Sequence, residues 1–193
     1  ADALRAAGIA RVSIDLIFGI PGQELGEWES DLRAALALGT DHLSCYALTY
    51  EPNTPMAARL HRGEFEPCEN DVEARMMELA ARVLADAGFA QYEVSNWARV
   101  RGGDPHAEEC RHNLLYWRNR DWLAVGPSAA GHAQGVRWRV VPRLGDWLAS
   151  AGAGPAVDVE RASPDTVAAE RLMMGLRLLR GIPLAEVDEI LAL

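Results

Sequence analysis

Residues 11–20 read RVSIDLIFGI, and the fold class follows from this run and what comes after it. Val12, Ile14, Leu16, Ile17 and Phe18 form a β-branched and aromatic stretch without helical period, which predicts a buried strand. Pro21-Gly22 then turn the chain. Leu25, Trp28, Leu32, Ala35 and Leu36 recur at helical spacing, and Gly39 closes that helix. Residues 42–50, HLSCYALTY, make a second apolar strand. Strand, helix and strand at this spacing predict a βαβ unit with both strands parallel and covered on two faces. The class is therefore α/β; an all-helical or all-β chain does not fit.

Outward from this unit the pattern continues. Before it, Ala3, Leu4 and Ala7 followed by Gly8 resemble the last turns of a helix with its C′ glycine. The first residue is Ala1 rather than methionine, so a cut end is expected there. After it, residues 51–67 contain Pro52, Pro55 and Pro67 and read as a loop with one helical turn. Asn70 or Asp71 is expected to cap a helix carrying Val72, Met76, Leu79, Val83 and Ala87, with Met76 and Met77 as core filler and Gly88 as the stop. Residues 92–95 are expected as a short strand, 99–109 as a loop, 111–117 as a short helix, and 122–125 and 136–141 as strands. Residues 150–164 shift in composition and read as a linker. Ser163-Pro164 supply an N-cap and first helical position for a helix bearing Ala169, Leu172, Leu176 and Leu179, stopped by Gly181. Pro183 begins another helix that runs to Leu193, as at the start of a small helical or winged-helix module, and a second cut end is expected there.

The chain has 193 residues, 49% of them hydrophobic and 24% charged, as in a soluble globular protein. No apolar run reaches the ~18 residues of a membrane span, nor does a signal segment open the chain, so a cytoplasmic location is expected. The formal charge is -9, with every basic residue an arginine. That balance repels phosphate backbones and argues against general nucleic-acid binding. Cys45, Cys68 and Cys110 are odd in number and far apart, which argues against a disulfide framework and a local metal knuckle.

Several residues could carry chemistry. Asp15 interrupts an apolar strand, and a buried carboxylate needs donors or a cation. An internal salt bridge and a ligand contact near the C-terminal end of a parallel strand stand level. Gly19 to Gln23 lack phosphate-fingerprint spacing and read as a turn. Thr49 and Tyr50 end the second strand on the same rim. His112 and Tyr116 share one helical face, and Asn113 and Trp117 another. A histidine among aromatics could ligate a metal or haem iron beside a flat ring, but the residues alone favour core packing. The small residues from Gly126 to His132 read as a tight turn, or as a place where backbone approaches a ligand. His42, His61 and His106 read as surface residues.

Taken together, IDLIFGIPGQ, LSCYALTYEPNTP, GFAQYEVSNWA, CRHNLLYW and VGPSAAG resemble, in order and spacing, the HemN/HemW group of the radical S-adenosylmethionine (SAM) superfamily. That group holds oxygen-independent coproporphyrinogen III oxidases and their relatives. The direct resemblance spans residues 2–148. It implies the C-terminal part of a partial TIM-like (β/α)6 barrel plus a family-specific segment over 1–150, a linker over 151–164, and the truncated opening of a HemN-like C-terminal domain over 165–193. The HNxxYW string at His112–Trp117 is that of the haem-chaperone branch. It reverses the packing reading: His112 becomes a candidate haem-iron ligand, with Asn113, Tyr116 and Trp117 orienting or stacking on the porphyrin. The resemblance also implies SAM contacts at Asp15, Leu48, Thr49 and Ala130. Implied cofactors are SAM, a [4Fe–4S] cluster and haem, and implied partners are haem-acceptor proteins such as respiratory haemoproteins. The alternative is the oxidase itself, which decarboxylates propionate side chains oxidatively. The family's CxxxCxxC cluster motif is absent from this sequence, so no catalytic residue is assigned and no radical chemistry is expected of the chain alone.

Overall fold

A computed structural model describes residues 1–150 and 154–191. The chain divides into two compact units, Ala1–Cys110 and Arg111–Leu193. In the first, helix α1 (Asp2–Ala6) ends on Gly8, whose left-handed φ of 83° allows the Gly8 and Ile9 amides to donate to the carbonyls of Arg5 and Leu4. Strand β1 (Ser13–Phe18), helix α2 (Leu25–Ala37) and strand β2 (His42–Ala47) follow. The two strands are parallel, with Ser13 opposite His42 and Phe18 opposite Ala47, so the predicted βαβ unit is present.

Helix α3 (Pro55–His61), capped by the Thr54 hydroxyl, is longer than the single turn expected. Helix α4 (Asn70–Asp86) has Glu69 rather than Asn70 or Asp71 as N-cap. Strands β3 (Phe89–Gln91) and β4 (Asn96–Arg99) pair antiparallel and complete a sheet in the order β1-β2-β4-β3. Residues 92–95, expected as a strand, are the connection between these two. The Glu93 carboxylate is fully buried there and accepts hydrogen bonds from the Ser95 amide (3.1 Å) and the Asn96 side-chain amide. This side-chain turn competes with strand pairing for the local backbone donors.

The helices α2 and α4 cover one face of β1 and β2. Trp28, Leu32 and Ala35 from α2, and Met76, Ala80, Val83 and Leu84 from α4, meet Phe18, Leu43, Cys45, Phe89 and Trp97 in one core. The Trp28 indole N–H donates to the Met76 carbonyl across 2.9 Å, and its ring lies 5.3 Å from Phe18. On the other face of β1, Ser13, Asp15 and Ile17 are exposed. The expectation that both faces would be covered is corrected, since among the described residues of this unit helices pack on one side only.

The second unit opens with helix α5 (Arg111–Trp117). Strands β5 (Ala130–Ala133), β6 (Val136–Val140) and β7 (Ala156–Arg161) form an antiparallel sheet in that order. Gln134 and Gly135, both with positive φ, make the two-residue β5–β6 turn. Helix α6 (Leu144–Ala149) precedes β7. Residues 151–164 were expected as a linker; 151–153 lie outside the described residues, and most of the rest is β7, joined to β6 by ion pairs Arg139–Asp158 (2.5 Å) and Arg137–Glu160 (3.2 Å). The strand expected over 122–125 is reduced to a bridge between Trp122 and His132. Leu123 and Val125 stand 79% and 87% exposed, and no described residue of this unit covers them.

Helix α7 (Pro164–Gly175) is capped by Ser163 as predicted. It ends at Gly175, where an added methyl would meet Ile182, so Leu176 and Leu179 fall in the turns before helix α8 (Leu184–Leu191). The expected run of α8 to Leu193 lies partly outside the described residues. No helix among those residues is long and apolar enough to cross a membrane.

Truncating the fully buried Trp28 to alanine removes a large core side chain of α2 together with its hydrogen bond to α4. The expected loss is about 3–5 kcal/mol of unfolding free energy, read as a lower urea midpoint. An unchanged midpoint would show that the α2–α4 seam does not hold this core.

Candidate functional site

On the open face of the first sheet, side chains alternate away from the core. Asp15 is exposed and, among the described residues, makes no ion pair. Of its two sequence readings the internal salt bridge is therefore not realised. Leu48 is half-buried and Thr49 exposed just beyond β2, with the Leu48 amide donating to the Phe18 carbonyl at 2.9 Å. Register places Asp15 beside Ser44. At the start of the same strands His42, read from sequence as a surface residue, is 8% exposed. Its Nδ1 is 2.9 Å from the Ser13 hydroxyl and its Nε2 2.8 Å from the Tyr92 hydroxyl. Burial pulls the imidazole below its ordinary pKa of 6.5, with Asp15 acting in the opposite direction. Sequence spacing could not show this network because Ser13 lies 29 residues before His42 and Tyr92 50 residues after it; the usable signal is that His42 begins an apolar strand.

In the second unit the four HNxxYW positions lie on α5. His112 is exposed, Asn113, Tyr116 and Trp117 are half-buried, and Leu114 is buried and anchors the helix. The Tyr116 hydroxyl is 3.1 Å from His112 Nε2, and the two rings meet edge to face at 4.9 Å and 88°. The row continues through Trp122, 4.8 Å from Tyr116, to His132, 4.9 Å from Trp122. His132 is buried, with Nδ1 3.2 Å from the Arg120 carbonyl. Four rings thus form one continuous row. The sequence points to the first two; its patterns place Trp122 in a strand and His132 in a turn.

Trp117 lies on another side of α5, under the Arg177 guanidinium at 5.7 Å. It lines a cleft of about 270 Å³ with arginines Arg118, Arg120, Arg171 and Arg180.

Ala130 is exposed at the start of β5, and its carbonyl accepts the Trp122 indole N–H at 3.0 Å. Gly131 faces Trp138 across the hairpin, and an added methyl would run into that indole. At Gly131, then, the small residue admits a protein side chain.

The cysteines do not fit an iron–sulfur cluster. Cys45 is fully buried in the first core, where burial and then Asp15 push its thiol up to about 12, far from the thiolate a cluster needs. Cys68 is likewise raised, by burial first and then by Glu73 and Glu69. Among the described residues no group of histidine, cysteine and carboxylate side chains could hold a metal ion.

No family model matches the chain. The haem chaperone HemW of Mycobacterium tuberculosis is 38% identical over 184 residues, covering 94% of this chain and 46% of that protein. HemW of Bacillus subtilis is 32% identical over 181 residues, covering 92% and 46%. The mitochondrial radical S-adenosyl methionine domain-containing protein 1 of Danio rerio is 39% identical over 121 residues, covering 63% and 26%. The solved structure of the radical-SAM coproporphyrinogen III oxidase HemN from Escherichia coli superposes with a TM-score of 0.75 at 16% identity, covering all of this chain and 46% of HemN. The chain belongs to the HemW-type group of the HemN-like radical-SAM family, matches the C-terminal portion of its members, and spans about half the length of the curated relatives it matches.

The His42 network has a consequence for stability. The folded state binds the His42 proton less readily than the unfolded chain, so folding is favoured above pH 6.5 and loses stability as pH falls below it. The urea midpoint should fall between about pH 7 and pH 5, and His42→Gln should flatten that decline. An equal slope in the variant would show that His42 does not govern it.

Proposed function

We propose that this member of the HemW-type family represents a haem carrier that holds haem for transfer to acceptor haemoproteins. The observation that carries this reading is the exposed His112, oriented through Nε2 by Tyr116 at the end of a row of aromatic rings. An exposed imidazole can approach iron while the adjacent ring faces receive a flat macrocycle. Asn113 and Trp117 flank the same helix and would orient or stack on the porphyrin. The similarity to the haem chaperone HemW of M. tuberculosis and of B. subtilis supports the same reading.

SAM contacts are proposed for the intact protein at Asp15, Leu48, Thr49 and Ala130. The exposed Asp15 carboxylate has free acceptors for ribose hydroxyls, and the rim after β2 offers backbone groups. When bound, the cluster and SAM would supply electron transfer and radical generation; this chain's cysteines do not fit as cluster ligands. β1 and β2 are proposed as the last parallel strands of a partial barrel whose lumen their open face would line. Residues 165–193 are proposed to open the C-terminal domain. The oxidase alternative is supported by likeness to HemN in fold alone. The proposed setting is the cytoplasm.

His112→Ala tests the carrier reading. In an absorbance titration with haemin, the full chain should lose at least roughly tenfold in affinity, 1.4 kcal/mol, with a shifted Soret band. Wild-type affinity and spectrum in the variant would remove His112 from the site. Anaerobic reconstitution of the same chain should give no stoichiometric iron and sulfide; finding them would overturn the account of the cysteines.

A further inference from the structure

The second unit contains a charge arrangement that the motif does not account for. The cleft beside Trp117 is lined by four arginines, Arg118, Arg120, Arg171 and Arg180, against one carboxylate, Glu186. This is a local reversal in a protein of formal charge -9. Among the described residues, Arg118, Arg120 and Arg171 make no ion pair. By contrast, Arg137 and Arg139 in the same unit are committed to Glu170, Glu160 and Asp158.

The backbone presents two of these arginines deliberately close to the motif. Helix α5 ends with Asn119 in the left-handed region at φ 47°. The Asn119 amide donates to the Tyr116 carbonyl and the Arg120 amide to the Leu115 carbonyl, both at 2.9 Å, a Schellman turn. It holds Arg118 and Arg120 directly after the HNxxYW string. Arg171 on α7 and Arg180 in the turn before α8 approach from another side of the cleft. Bringing Arg118, Arg120 and Arg171 to one cleft without ion-pair partners costs Coulomb energy unless an anion joins them. Their forked donors match carboxylates in bidentate geometry, and the Trp117 indole forms an apolar wall for a conjugated ring.

We infer that this cleft is a carboxylate site that takes the propionate side chains of the tetrapyrrole, with Trp117 shared between it and the haem motif. The inference rests on the carrier reading and adds to it the groups that would recognise the acidic edge of the ligand. The arginines bind and orient; they do not ligate iron.

The test compares haemin with its dimethyl ester, in which both carboxylates are masked, by absorbance titration of the full chain in dilute detergent. The wild type should bind the diacid at least about tenfold more tightly than the diester, the worth of a charge-assisted hydrogen bond. Arg118→Gln and Arg171→Gln should each weaken diacid binding by about tenfold, leave diester binding unchanged, and keep the Soret position of the wild type. Equal affinity of the wild type for diacid and diester overturns the inference while the carrier reading stands. Equal loss of both ligands in the arginine variants does the same. Failure of the folded wild type to bind either ligand overturns the carrier reading, and the inference with it.

Discussion

One-sided burial of the parallel pair β1–β2 is the constraint on which the first unit depends. Side chains alternate across a strand, so covering one face with α2 and α4 sorts every residue into core or open surface. Ile14, Leu16, Phe18, Leu43 and Cys45 pack against the helices. Ser13, Asp15 and Ile17 face away. A slip of one residue would bury Asp15 and expose Phe18, so the Trp28–Phe18 contact helps to fix where Asp15 stands. The open face is polar at one end through Ser13, His42 and Tyr92 and apolar at the other through Ile17 and Tyr46, which are about half exposed. Such a face suits a surface that lines a cavity in a larger barrel.

The second unit rests on a different device. Helix α5 has only seven residues, too short to be stable by propensity. It is held by the buried Leu114 and by the Schellman turn at its end. That turn links three features. It ends the helix bearing His112 and Tyr116, projects Arg118 and Arg120, and offers the Arg120 carbonyl to His132. The ring row and the α5 side of the arginine cleft thus meet at one local termination.

Much of the fold was legible because it is encoded locally. The β-branched run, the glycine stops at Gly8, Gly39 and Gly88, and the Ser163-Pro164 cap each act within a few residues, and their elements appear where expected. Errors arose where side chains far apart in sequence decide the outcome. The run 92–95 has strand composition, but the buried Glu93 turns it into a hairpin connection. Residues 122–125 have strand composition too, yet only Trp122 finds a partner strand. His42 shows no helical or strand partner pattern, since Tyr92 reaches it from beyond α4. The His112–Tyr116 pair was readable because four residues make one helical turn. The arginine cleft was not, since its members come from α5, α7 and the turn before α8.

This contrast bears on how separable the two proposed functions are. His112, Asn113, Tyr116 and Trp117 sit on one helix, and Trp122 and His132 complete their ring row within the same compact unit. Their arrangement is set by contacts spanning at most about twenty residues. The proposed SAM positions have a different origin: Asp15, Leu48 and Thr49 belong to the first unit and Ala130 to the second. Nor do the three cysteines supply what a cluster would require, one of them being locked in a core with its thiol strongly disfavoured from ionising. The proposed haem site therefore lies within one compact unit, and the local construction of α5 and its turn lets it be tested apart from the proposed SAM positions.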